Sequence, residues 1–438
     1  MTSTRQDGKA LPERLSALPG PKSVEFVDVL ARHESPGVTA RRARMGERRG
    51  VGADPIVWQR AVGANVWDAD GNRYVDLTGA FGVALIGHAH PAVVSAVNSQ
   101  SAQLLHAMGD VFPNPPRIAL MEKLAALAPG ELCQCILASS GSEAVEAALK
   151  TGALYSGRPG VLAFWGAYHG LTYGALAATA YKHDFRRPFL AQMGRHVTHM
   201  PYGEHLDLLE RLLAGPATAG EHIGTILVEP ILGRGGEVVA PTPWLQGLRK
   251  LADEHGLCLV FDEIYSGLGR TGAWWAGDHA GVVPDVVCVG KALGGGMPIS
   301  AAVARPDVMA AWQASQGEAI HTSTFLGHPV SSAAAVAALD VMVAMDVPKA
   351  ARRLEQRVRE RLEPAGWKIR GRGAMLAVET EQPGRAARAA GDMLKLGFIV
   401  LPGGVHGDVV GLTPPVNITD EQLDAALDAL ERALASGS

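Results

Sequence analysis

Lys291 follows the apolar run Val286-Val287-Cys288-Val289-Gly290 and precedes Ala292-Leu293-Gly294-Gly295-Gly296-Met297-Pro298. A lysine just past a buried strand is held in place and partly stripped of water. Desolvation lowers an amine's pKa, and the neutral amine is a nucleophile able to form a Schiff base. The bland alternative is a solvated loop lysine, and for a lone lysine it would prevail. A Walker A loop is excluded: Asp285 stands where its first glycine belongs and Ala292 where a hydroxyl residue is required. Asp262 closes a second apolar run, Leu257-Cys258-Leu259-Val260-Phe261, with Glu263 next. An acid there usually caps a helix or pairs with a cation. It could instead keep the ring nitrogen of a cofactor protonated. Both residues fall at the carboxyl ends of strands, where open α/β sheets bind ligands.

Ser139-Ser140-Gly141-Ser142-Glu143-Ala144 joins a strand to a helix. Small residues let backbone N–H groups and hydroxyls approach an anion at the positive helix end. The same residues also read as an ordinary capped helix start. Tyr168-His169-Gly170 comes after another strand, and its aromatic ring reads either as core or as a surface for a planar ligand. Gly267-Leu268-Gly269-Arg270-Thr271-Gly272 matches G-x-G-x-x-G, but the chain beyond Gly272 soon reaches Pro284 and is no convincing helix, so a dinucleotide site is not expected. His88 and His90 read as turn residues, and no metal site is expected.

These residues need a scaffold of strands alternating with helices. Helices are expected over residues 92–105, 117–127, 142–155, 244–255 and 330–345. Short β-rich runs occur at 135–138, 161–164, 225–228, 257–261 and 286–289. Such alternation implies a largely parallel sheet covered on both faces. Residues 55–77 form a hairpin around Asp70-Gly71-Asn72. Strands at 367–370 and 375–379 and a final helix over 419–435 suggest a smaller α+β unit that the hairpin could join. Residues 1–51, with a basic cluster from Arg41 to Arg49, read as a solvated or interface arm.

With 40 basic and 44 acidic residues, the net charge of -4 gives no electrostatic reason for a nucleic-acid or acidic-membrane partner. No apolar run approaches a membrane span in length, and the first thirty residues hold no apolar signal core. The four cysteines, Cys133, Cys135, Cys258 and Cys288, include no C-x-x-C pair. Cys258 and Cys288 read as buried thiols, and a reducing, cytoplasmic setting is expected.

Taken together and in order, the motifs resemble the class III (ω-type) aminotransferases, pyridoxal-phosphate enzymes of fold type I. The resemblance runs from about Pro55 to the C-terminus through WDADGNRYVDL, GHAHP, SSGSEA, YHG, VEPI, FDEIYSGLGRTG, PDVVCVGKALGGGMP and STFLGHP. It implies a large domain with a mostly parallel seven-stranded sheet flanked by helices, and a smaller α+β domain formed by both chain ends. The domain limits implied are 1–78, 79–345 and 346–438. Lys291 would carry the cofactor as a Schiff base, Asp262 would pair with the pyridine nitrogen, and Tyr168 and Ile264 would bracket the ring. Ser140, Gly141 and Ser142 would hold the phosphate, while His169 and Glu229 would join the polar network beside the ring. Thr324 would reach the phosphate of a neighbouring subunit's cofactor, which implies a homodimer with shared sites.

Departures from the family pattern concern the substrate, and Phe81, Leu171, Arg234 and Tyr265 are the candidate substrate residues. Leu171 replaces an arginine common after the His-Gly pair, which argues against 4-aminobutyrate, ornithine or acetylornithine. Arg234 replaces the glutamate of Q-G-E, and Gly411 stands where that glutamate's arginine partner is expected. Tyr265 replaces a common glutamine. Arg234 is expected to bind the carboxylate of a keto acid; its alternative is a solvent or interface position. The implied reaction moves an amino group from a primary amine or amino acid to a keto acid. A racemase, epimerase or aminomutase is the alternative within the fold, and an NAD-dependent dehydrogenase lies outside it.

Overall fold

The computed structural model describes residues 8–51, 55–214, 222–314, 317, 319–382 and 384–435. The chain forms two compact units, Met1–His90 with Ala350–Ser438, and Pro91–Lys349. The division falls after His90 and Lys349 rather than after residues 78 and 345. Residues 79–90 stay with the chain ends because they bond there: His88 and Gly63 exchange backbone hydrogen bonds, and Val416 N–H donates to the Leu85 carbonyl.

The unit Pro91–Lys349 is built on a seven-stranded sheet. Across the sheet the order is Gln134–Ala138, Ser300–Ala304, Val286–Val289, Cys258–Asp262, Ile223–Val228, Gly160–Phe164 and Val197–Met200. Six strands are parallel, and Ser300–Ala304 runs antiparallel to both neighbours. The central strands are buried along their whole length, which is why they read as continuous apolar runs. Two strands were not legible in the sequence. Ser300-Ala301-Ala302-Val303-Ala304 is mostly small residues of low strand preference, and the edge strand Val197–Met200 is only half-buried.

Helix Gly141–Ser156 lies against this sheet through Ala144, Val145, Ala147, Ala148 and Gly152. Its approach is close: a Cβ on Gly152 would sit 2.2 Å from the Thr225 hydroxyl. The small residues are therefore what let the helix start reach the sheet's edge. Ser140 caps the helix by accepting from Glu143 N–H at 3.3 Å, and the Glu143 carboxylate accepts from Ser139 N–H at 2.8 Å. Gly157, in the left-handed region at φ 68°, ends it.

The other unit holds two four-stranded sheets. One joins the hairpin strands Trp58–Val62, Asn65–Asp68 and Arg73–Asp76 to Phe398–Ile399. Asp68 closes the expected turn by accepting from the N–H groups of Asp70 and Asn72. The second sheet contains Ile369–Arg372, Met375–Glu379, Val409–Leu412 and Leu401–Gly403. The N-terminal segment, expected as a solvated or interface arm, is helical and largely exposed, with Ser23 and Val27 the buried residues of its two described helices. It forms helices Pro21–His33 and Pro36–Arg49, each opened by proline, the second ended by Gly50 at φ 66°. A Cβ on Gly391 would lie 1.7 Å from the Arg49 carbonyl oxygen, so helix Arg385–Lys395 packs tightly on its end. The basic cluster hid these helices because charge says little about helix preference: Arg and Glu are good helix formers.

Candidate active site

Five loops leave the carboxyl edge of the parallel strands and carry nearly all the candidate residues. Register explains the first pair. Asp262, the last residue of its strand, lies opposite Cys288 on the next strand, and Glu263 N–H donates to the Cys288 carbonyl at 2.9 Å. Lys291 comes a few residues later, at the start of a short turn of helix, with its backbone in the left-handed region at φ 43°. A lysine seldom adopts that conformation unless its surroundings impose it. Its Nζ sits 4.2 Å from the centre of the Tyr265 ring. Burial is the largest influence on this amine and pushes it down to about 8, with the carboxylates of Asp262 and Glu229 opposing and the charges of Arg234 and Arg270 adding to the depression.

Asp262 is buried, and its two oxygens have different partners. Oδ2 lies 2.7 Å from His169 Nδ1, and Oδ1 accepts from Ile264 N–H at 3.2 Å. His169 Nε2 is buried without a hydrogen-bond partner. Tyr168 is held from its backbone: its N–H donates to Glu229 Oε1 at 2.7 Å. The other Glu229 oxygen accepts from Gly233 N–H at 2.9 Å. One carboxylate thus ties the loop bearing Tyr168 to the loop bearing Arg234. Desolvation dominates at Glu229 and pushes it up to about 7.

At the helix start, Ser140 caps, while the N–H groups of Gly141 and Ser142 have no carbonyl within the helix to donate to. The Ser142 hydroxyl accepts from Leu171 N–H at 3.2 Å. A Cβ on Gly170 would lie 2.0 Å from that hydroxyl, and one on Gly141 would lie 2.9 Å from Ile264 Cδ1. Here glycine is required by close approach. Leu171 is exposed there.

Not every candidate joins this cluster. Thr324 is exposed on the segment before helix Pro329–Ala344 and makes no hydrogen bond to the cluster among the described residues. Phe81 belongs to the other unit, exposed, with φ 60°. Gly411 is also in that unit, inside strand Val409–Leu412. His88 pairs with Asp76 at 2.8 Å rather than serving only as a turn residue. No group of three metal-ligating side chains occurs among the described residues.

Arg270 was not among the residues expected from sequence, because its glycine-rich loop reads as a chance match. That loop opens no α-helix, yet Arg270 is fully buried and its charge acts on Lys291. The signal was present: an arginine in an otherwise small and apolar loop must be buried with compensation or point outward. Glu263, next to Asp262, braces the same region. It accepts from Ala276 N–H at 2.6 Å, Gly277 N–H at 3.0 Å and the Ser266 hydroxyl at 3.2 Å, and burial pushes it up to about 7.

A buried, depressed lysine, a carboxylate at the adjacent strand end and a helix start with spare N–H donors define a lysine-centred site on an open α/β sheet. The arrangement fits pyridoxal phosphate on the donor set alone. The aspartate has lone pairs left to accept a ring N–H, burial brings the amine down to about 8, well below an ordinary lysine, and the glycine-lined helix start suits a phosphate. The class III aminotransferase family matches residues 48–434 of this sequence. The chain belongs to the class III aminotransferases, which use pyridoxal phosphate. It is 39% identical over 387 residues to an acetylornithine aminotransferase of Methanopyrus kandleri, covering 87% of this chain and 95% of that protein. Among solved structures, an amine transaminase from an uncultivated Pseudomonas species, in its PLP-bound form, superposes with a TM-score of 0.82 at 27% identity. That match covers 88% of this chain and 96% of the other.

Proposed function

We propose that this enzyme moves an amino group from a primary amine or amino acid to a keto acid, with Lys291 as the residue that anchors the cofactor and carries the proton. The observation that carries the reading is the pairing of a depressed Lys291 with Asp262 on adjacent strand ends, the latter bonded to His169. When bound, pyridoxal phosphate supplies the electron sink that lets a proton leave the carbon bearing the amine. Lys291 Nζ, as the neutral amine, would take up that proton and give it back. Asp262 would hold a proton on the ring nitrogen, and His169 fixes the carboxylate that would do so. Ser140, Gly141 and Ser142 would receive the phosphate. Ile264 and Tyr168 would bracket the ring. Arg234 receives the carboxylate of the keto acid.

The test is the visible absorption of the purified protein, with Lys291→Ala beside it, before and after addition of amines and then of pyruvate or 2-oxoglutarate. A cofactor band lost in the variant, bleached by an amine and restored by a keto acid establishes amino transfer. Loss of optical activity or isomerisation with no acceptor present would instead establish a racemase or mutase. Bleaching by no amine, with the band intact, would refute both.

The same reading includes a homodimer in which Thr324 serves the neighbouring subunit's phosphate site. Exposure of Thr324 supports it. Sedimentation should give a dimer, and Thr324→Ala should weaken cofactor retention; a monomer of full activity would overturn it. The four cysteines are all free thiols, two of them buried, in keeping with a reducing compartment such as the cytoplasm.

A further inference from the structure

The Arg234 guanidinium lies over three aromatic rings. Its Cζ is 4.5 Å from the centre of Tyr168, 5.2 Å from Tyr181 and 5.6 Å from Phe185. The rings also brace one another. Phe185 meets Tyr168 edge-on at 6.1 Å and lies tilted against Tyr181 at 6.0 Å. Tyr181 is buried, and Phe185 and Arg234 are half-buried. Among the described residues no carboxylate pairs with Arg234 and no acceptor takes an N–H from it. Two acids of the site are already engaged: Glu229 by Tyr168 and Gly233 N–H, Asp262 by His169 and Ile264 N–H.

Position ties this cation to the reacting lysine. Gly233 precedes it, and a Cβ there would sit 2.5 Å from Tyr265 Cδ1. The Tyr265 ring in turn faces Lys291 Nζ at 4.2 Å. The charge of Arg234 also helps depress Lys291.

We infer that Tyr168, Tyr181 and Phe185 form an aromatic box that holds Arg234 as a carboxylate receptor, and that Tyr181 and Phe185 thereby determine specificity for acid substrates. This inference rests on the amino-transfer reading above. The physics lies in what ring faces do and do not take from an arginine. They attract its charge and fix its plane, yet accept none of its five in-plane N–H groups. A salt bridge would hold the side chain equally well but would occupy the donors that a substrate carboxylate needs. The box therefore positions the fork with its hydrogen-bonding capacity intact. A carboxylate entering beside Lys291 is the complementary ligand, bound through paired N–H···O contacts. Tyr181 and Phe185 act through Arg234 and are positioning residues.

The experiment measures dissociation constants of two non-reacting probes, propionate and its uncharged isostere propionamide, on the holoenzyme by calorimetry. Wild type should prefer propionate at least about tenfold. Tyr181→Leu with Phe185→Leu should cut that preference about tenfold, within the range of a partly desolvated cation–π contact. Arg234→Gln should abolish it with the rings in place. The KM for a keto acid should rise in step with the lost preference, more than the KM for an uncharged amine does. No preference in wild type overturns the inference. So does a preference that survives the ring variants, since Arg234 would then need no box. If the ring variants fail to fold, Arg234→Lys decides: it keeps the charge but not the planar fork, and full retention of the preference overturns the receptor geometry. Absence of any cofactor band in wild type would be a separate failure, that of the amino-transfer reading.

Discussion

His169 Nδ1 and Asp262 Oδ2 lie 2.7 Å apart, both buried, although Asp262 ends one strand and His169 lies on the loop after another. The pair orients the carboxylate proposed to face the cofactor ring; among the described residues, its other oxygen accepts from the Ile264 N–H. A hydrogen bond to a charged group contributes about 1.5–3 kcal/mol. His169→Leu is therefore expected to lower kcat by about 10- to 100-fold in a folded protein, with His169→Asn in between. Steady-state rates, alongside the melting curve, check this. A leucine variant with wild-type kcat would show that Asp262 is oriented without it.

Lys291 gives a pH prediction with a definite sign. Its amine is pushed down to about 8 in the native chain, below an ordinary lysine near 10.5. The cofactor-free protein should combine with pyridoxal phosphate faster as pH rises, with a midpoint near 8. Between about 8 and 10.5 the unfolded chain binds a proton that the native chain does not, so this residue's contribution to stability rises with pH across that window. Below about 8 the charged amine is a burden on the folded state. Lys291→Met should raise the melting temperature of the cofactor-free protein at pH 7 by a few degrees and lose that gain by about pH 10.5. A Tm difference independent of pH would contradict the depressed amine.

Glu229 joins two loops through one carboxylate. Glu229→Ala leaves the N–H groups of Tyr168 and Gly233 without their acceptor. Unsatisfied buried donors cost about 1–3 kcal/mol each. A loss of about 2–5 kcal/mol is expected in denaturant unfolding. A higher KM for the keto acid should accompany it, since Gly233 leads directly into Arg234. Loss of stability with no change in that KM would separate the clamp from substrate binding.

Gly170 has both a backbone reason and a packing reason to be glycine. Its φ of 126° is strained for any other residue, and an added Cβ would meet the Ser142 hydroxyl at 2.0 Å. Gly170→Ala should push Ser142 off the helix start and weaken cofactor retention at least about tenfold, while the melting temperature of the cofactor-free form falls by only a few degrees. Dialysis and then cofactor assay measures it. Unaltered retention would remove Ser142 from the phosphate site.

The sequence alone determined the class of chemistry and most of the scaffold. Lys291, Asp262, Tyr168 and the Ser140–Ser142 turn were legible because each sits where a buried apolar run stops, and such runs announce parallel strands. Loops at the carboxyl edge of a parallel sheet converge, so reading the strands placed the residues together. Local patterns could not reveal the strand Ser300–Ala304, whose small residues carry no strand signature, or the N-terminal helices, whose charges resemble those of a solvated arm. They also could not say which oxygen of Asp262 meets His169, that Glu229 bridges two loops, or that Arg234 rests on Tyr168, Tyr181 and Phe185. Those contacts join segments far apart in the chain. Only the packed sheet brings such groups within a few ångströms, and at that range desolvation and ring faces, rather than residue type, set what a side chain can do.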